Sequence, residues 1–307
     1  MIKNITRAVA AVILSALLIS LCACGGKTEP ETDSSKPTVV ATIFPYYDFV
    51  RSVCGTNVNI VMLVPPGTDS HSYEPTPKDV AQVHDCDLFV YTGGEEDGAF
   101  EEMLASADKP VNSLRLIDFV QPLCEQATEG MQGEVDDGYD PHIWTAPANA
   151  QLICHAITDA VKQILPELHT STSESYLREL ESLDRDYNEY FASHPAPLIF
   201  GDRFPFRYLT AEFGVTYYAA FPGCADYTEP SAKTVRTLIE KARENGVSVI
   251  WHAEGADTSA AESIAAELGG TTALMHSCHR ITREELDAGI SYLSLMRQNL
   301  DTLRKLG

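Results

Sequence analysis

Three histidines of this chain stand where a metal ion could collect them. His71 lies in PPGTDSHSYEPTPKD, a loop that follows the β-branched run VNIVMLV (58–64). Prolines stiffen this loop, and Pro75 and Pro77 lead it into a helix start. Stiffness suits a ligand, because coordination holds the donor atom within tenths of an ångström. His142 lies in DPHIW, where Asp140 can accept the second ring N–H and so orient the imidazole. His276 opens HSCH (276–279), directly after the apolar run TTALM (271–275). Any one of them alone reads as an ordinary hydrogen-bonded loop histidine. Three such placements in one chain point to a metal site.

HSCH admits other chemistries. Cys278 with His276 or His279 as its base would make a nucleophile, and the same thiol could sit in a disulfide. No cysteine-protease signature surrounds it, and no third, orienting residue is evident. The other cysteines of the body, Cys54, Cys86, Cys124, Cys154 and Cys224, are too widely spaced for a small stapled scaffold and define no pairing.

The elements that must position these residues alternate along the chain. TVVATIF (38–44), VNIVMLV (58–64) and DLFVYT (87–92) read as strands, with YYDFVRSV (46–53) and PKDVAQVHD (77–85) as helices between them. Helices follow over 149–165 and, longer, over 173–192. The strand pattern then resumes with PLIFG (197–201), VTYYAAF (215–221), VSVIWH (247–252) and TTALM. A final helix is expected over 285–306, with Leu286, Ile290, Leu293, Met296, Leu300 and Leu303 along one face. Such alternation predicts an α/β fold of two lobes with mostly parallel sheets, joined by a long helix, and a ligand cleft between them. The expected divisions are an N-terminal lobe over 38–166, a linking helix over 167–195 and a C-terminal lobe over 196–307.

Composition narrows the partners. With 22 Lys and Arg against 44 Asp and Glu the net charge is −22. That balance argues against nucleic acid and against charge-driven binding to an anionic membrane. EQATEGMQGEVDDGYDP (125–141) reads as a solvated acidic loop that would attract divalent cations weakly. The first 23 residues have a basic start (Lys3, Arg7) and the apolar run AVAAVILSALLISL (8–21), too short to span a bilayer. They run into LCAC (21–24), which resembles a bacterial lipobox. Residues 1–23 are therefore expected to be a lipoprotein signal peptide, Cys24 the lipidated residue, and 24–37 a disordered tether.

At LVPPGTDSHSYEPTPKDV (63–80), DCDLFVYTGGEEDGAFEEML (85–104), DPHIW (140–144) and YLSLMRQNLDTL (292–303), the chain resembles the cluster A-I solute-binding proteins of metal ABC importers. The resemblance runs in order through the whole mature chain. It implies two (β/α) lobes bridged by a rigid helix, with a zinc or manganese site in the interlobe cleft. It also implies a monomeric receptor, held outside the cytoplasm on the cell membrane by its lipid anchor, that serves a permease and its ATPase. By position, His71 and His142 match the two metal histidines of the family's first lobe. The third family ligand, a His or Glu, falls in LIFGDRFPFRYLTAEFGV (198–215), where the nearest carboxylate is Asp202 beside Arg203. The fourth, commonly Asp, falls on His276. The implied set is His71, His142, His276 and Asp202; if Asp202 pairs with Arg203, then Cys278, His279 or His252 would supply the missing donor. Glu254 matches a family position expected to hold the cleft together. Three histidines and one carboxylate suit Zn²⁺ ahead of Mn²⁺. Two other function classes fit the same residues: a zinc-dependent hydrolase with Glu254 or Asp202 as base, and a surface adhesin with a structural metal.

Overall fold

TVVA (Thr38–Ala41, β1) runs through the interior of a parallel sheet because three of its four side chains are buried. Its neighbours are Asn59–Met62 (β2) and Leu88–Tyr91 (β3), with Val40 opposite Val61 on one side and Phe89 on the other. The computed structural model describes residues 33–133, 138–225 and 229–307. Cys24 with its leader, and Glu134, Asp136 and Asp137 of the acidic loop, lie outside the described residues. Ser113–Arg115 (β4) completes the first sheet in the order β2-β1-β3-β4. Only the middle residue of β4 is buried, so its pattern is too short to stand out in the sequence. Leu198–Arg203 (β5), Tyr217–Phe221 (β6), Val249–His252 (β7) and Thr271–Leu274 (β8) form the second sheet, ordered β6-β5-β7-β8. Every pairing in both sheets is parallel. Two α/β lobes with parallel sheets are thus observed, as the strand–helix alternation predicts.

The helices begin where their caps are. Phe44–Cys54 (α1) has proline in its first turn, and Pro77–Asp85 (α2) carries a capping box between Thr76 and Asp79. Gly98–Ala105 (α3) and Pro147–Ile164 (α4) complete the first lobe's set. Ser171–Ser193 (α5) follows, the longest helix among the described residues, burying Tyr176, Leu180, Leu183 and Tyr187. Arg207–Phe213 (α6), Ala232–Asn245 (α7) and Ser259–Leu268 (α8) belong with the second sheet.

The terminal helix departs from the expected single element. It breaks into Arg283–Asp287 (α9) and Tyr292–Leu306 (α10). Gly289, at φ 78°, takes the left-handed conformation between them, and Ser291 opens α10 with its own capping box. The break turns α10 so that the N–H of Tyr292 meets the buried Asp48 carboxylate of α1 at 2.7 Å. Arg51, paired with Asp48, donates to the carbonyl of Ile290 at 2.9 Å. One acid and one base on α1 thereby hold the start of α10.

A second acid sits where three helices meet. Glu212 of α6 accepts the N–H of Ala148, in the first turn of α4, at 3.2 Å and faces Asp184 of α5. Burial, then the Asp184 carboxyl, push the Glu212 carboxyl up to about 8. A raised acid binds its proton more tightly folded than unfolded, so stability is greatest below the ordinary value of 4.5 and declines as pH rises toward 8. We expect the wild-type denaturant midpoint to fall between pH 5 and pH 8. That fall should be much shallower in Glu212→Gln, which keeps an acceptor for Ala148 without acquiring charge. Parallel slopes for the two proteins would exclude this pair as the source.

The 125–141 segment is not a free acidic loop over its described part. The Gln132 amide donates to Ala220 on the edge strand β6 at 2.8 Å, and the Gln132 side chain accepts the Ser231 amide at 2.6 Å. Glu129 pairs with Lys241 of α7 at 2.8 Å, and Tyr217 donates to the Gln126 carbonyl. Residues 125–133 strap the first lobe to the second and cover an otherwise open sheet edge.

Candidate metal centre

His71 stands in a 3-10 turn, Ser70–Ser72, just beyond β2. Asp69 caps that turn by accepting the His71 amide at 3.2 Å. His142, 1% exposed, is fixed twice by Asp140, whose Oδ1 accepts its amide at 2.8 Å and its Nδ1–H at 3.0 Å. The Nδ1 proton committed to Asp140 leaves Nε2 as the free lone pair, the arrangement in which a carboxylate orients a metal-binding imidazole. The second lobe supplies the third ring, and it is His279. One nitrogen from each of His71, His142 and His279 lies within 4.8 Å of the others. The three ring centroids stand 4.7–5.4 Å apart. Ser70 reaches across the cleft to hydrogen-bond Nε2 of His279.

His276 is placed elsewhere. Its backbone is clamped to α10, donating to Asn299 Oδ1 at 2.7 Å and accepting from Asn299 Nδ2 at 2.8 Å. Its Nδ1 accepts the Cys278 amide at 2.9 Å and lies 3.7 Å from Glu254. The ring is therefore spent on shaping the turn, and the turn is what delivers His279. Cys278 makes this possible by adopting φ 64°, alone in that region among the described non-glycine residues. Glu254 braces the same turn, accepting the amides of Ser277 at 2.8 Å and of His279 and Arg280 at 3.2 Å. Burial opposes the charge of Glu254, yet His276 and the Ser277 hydroxyl and amide hold its carboxyl below the usual range.

The remaining candidates also fall outside the trio. Asp202 accepts the Ala253 amide at 2.9 Å and ties β5 to the end of β7. Burial pushes its carboxyl up to about 7, and its Oδ1 accepts no hydrogen bond among the described residues. His252 is half-buried, with Nδ1 3.3 Å from the Ala253 carbonyl. The Cys278 thiol is fully buried and burial raises its pKa well above the ordinary value, so it is a neutral packing group without nucleophilic character. Six described cysteines, Cys278 included, carry free thiols.

Burial, then the neighbouring His71 and His142, lower the His279 pKa well below the ordinary histidine value. A neutral imidazole is the form that ligates. Trp144 packs its ring 5.3 Å from His279 and 5.4 Å from His142 while donating to the Ser277 carbonyl at 2.7 Å. DPHIW thus carries His142 of the trio together with the tryptophan that docks the opposite loop, a role its sequence does not announce. Three imidazole nitrogens converging from two lobes can replace the hydration shell of a borderline-soft divalent ion such as Zn²⁺.

Comparisons with known proteins agree with this architecture. The high-affinity zinc uptake system protein ZnuA of Bacillus subtilis is 30% identical over 95% of this chain and 95% of its own length. The zinc-binding lipoprotein AdcA of Streptococcus pneumoniae is 29% identical over 95% of this chain, which spans 60% of that longer protein. The crystal structure of the Zn(II)-bound ZnuA-like domain of S. pneumoniae AdcA superposes with a TM-score of 0.73 at 28% identity, covering 88% of this chain and 98% of that one. No described helix is long and apolar enough to cross a membrane. The family model for ZnuA, the periplasmic component A of zinc-uptake complexes, matches residues 39–306, and the chain belongs to that family.

Proposed function

We propose that the chain is the extracytoplasmic receptor of a zinc ABC importer, taking Zn²⁺ into the interlobe cleft on His71, His142 and His279 and passing it to a membrane permease driven by its ATPase. The observation that carries this reading is the convergence of three imidazole nitrogens, from loops of both lobes, within 4.8 Å of one another. Their softness favours zinc over manganese, which prefers oxygen donors. Zn²⁺ is cargo here, and the receptor performs no chemistry upon it. Cys24 holds the protein to the outer face of the membrane through its lipid, and the receptor works as a monomer.

The test is zinc X-ray absorption on the loaded full chain. We expect one zinc per chain and three imidazole nitrogens at about 2.0–2.1 Å. A spectrum with one imidazole or none would overturn the assignment. Zinc that cannot be withdrawn without unfolding the protein would point to a structural metal instead.

A further inference from the structure

Arg203, the last residue of β5, lies in the stretch where the family resemblance places a third ligand, and it cannot bind a cation. It reaches instead across the cleft. Its Nη1 donates to Oδ2 of Asp69 at 3.1 Å, with both side chains largely withdrawn from solvent (19% and 24% exposed). The other oxygen of the same carboxylate, Oδ1, accepts the His71 amide. One carboxylate is thus shared between a guanidinium on the second lobe and the backbone of a metal ligand on the first.

We propose that Arg203 and Asp69 form an interlobe latch that positions His71 and slows release of the bound ion. The inference rests on the zinc site described above and adds to it a positioning residue that is not a ligand. Three local features aim the latch. The register of β5 against β6 shifts between Phe200 and Arg203, an irregularity of the kind that re-aims a side chain at a strand end. Gly201, within that irregularity, lets α8 approach so closely that a Cβ there would stand 2.6 Å from the Ala261 Cα. Asp69 is the N-cap of the turn that carries both Ser70 and His71, so a pull on its carboxylate acts on that turn directly. The guanidinium and the carboxylate meet at 3.1 Å, which makes the pair a charge-assisted contact between the lobes.

The sign of the effect separates a latch from a bystander charge. A guanidinium beside a cation site repels the cation, so removing it should tighten binding if charge alone mattered. A latch predicts the opposite. In the full chain, zinc dissociation into excess chelator should speed up roughly 10–100-fold in Arg203→Gln, the usual scale for losing a group that orients a ligand. The association rate should change much less. Arg203→Lys should recover part of the loss, and Asp69→Asn should release zinc about as fast as Arg203→Gln. The double variant should be little worse than either single one, because the two residues act through one contact. Unchanged or slower release from Arg203→Gln overturns the latch, as do effects that multiply in the double variant. Should Arg203→Gln fail to fold, Arg203→Lys and Asp69→Asn decide the matter. His71→Ala separates the two levels of the argument. If it leaves zinc binding intact, the site reading itself fails; if it abolishes binding while Arg203→Gln behaves as wild type, only the latch fails.

Discussion

His279→Ala is expected to weaken zinc binding by at least about 100-fold, the scale of one donor's share of a site worth 10 kcal/mol or more. His276→Ala, three residues away in the same HSCH stretch, should weaken it by less than about tenfold. The contrast follows from where the rings go. His279 has a nitrogen within 4.8 Å of nitrogens on both His71 and His142. His276 spends its Nδ1 on the Cys278 amide, and its backbone is held by Asn299. Losing the His276 ring loosens the turn, while Glu254 still grips Ser277, His279 and Arg280. Competition titration against a chelator of known affinity measures both variants side by side. Equal losses at the two positions, or a larger loss at His276, would reverse the assignment.

Asp48→Ala should lower folding stability by about 2–4 kcal/mol, since it strips a buried acceptor from two donors at once. Asp48 is fully buried in α1, accepts the Tyr292 amide at the start of α10, and pairs with Arg51, which in turn holds the Ile290 carbonyl. Its carboxylate also meets the positive end of the α10 dipole. Asp48→Asn retains an oxygen for the Tyr292 amide and should lose less, about 1–2 kcal/mol. The quantity to read is the urea midpoint at constant slope, because a changed slope would mean the lobes had uncoupled rather than weakened together. Equal stability of Asp48→Ala and wild type would show that the Ser291 capping box alone starts α10.

The elements most legible in the sequence were those whose burial is one-sided or complete. TVVATIF and DLFVYT read as strands because β1 and β3 are almost wholly enclosed, and 173–192 read as a helix because its apolar face recurs at helical spacing. β4 is not legible in the sequence because a three-residue strand with one buried side chain has no period. The break before α10 was hidden by an apolar stripe that continues through it, even though Gly289 marks the spot. The acidic segment read as solvated because composition records charge and says nothing about Lys241 or the edge of β6 waiting opposite.

The sequence by itself determined the two parallel α/β lobes, and it singled out His71 and His142 as candidate donors, the latter beside Asp140, the carboxylate that orients it. Those are local facts: a stiff loop, an Asp at the right offset, a strand before it. The choice between His276 and His279, the diversion of Asp202 to the Ala253 amide, and the partnership of Arg203 with Asp69 were decided only in three dimensions. Each depends on the direction a side chain takes after a turn. That direction is set by Cys278 in its left-handed conformation and by contacts from residues far away in sequence, Asn299 and Glu254 among them. Spacing along the chain brings both histidines of HSCH within reach of the cleft, and the turn between them decides which one enters it.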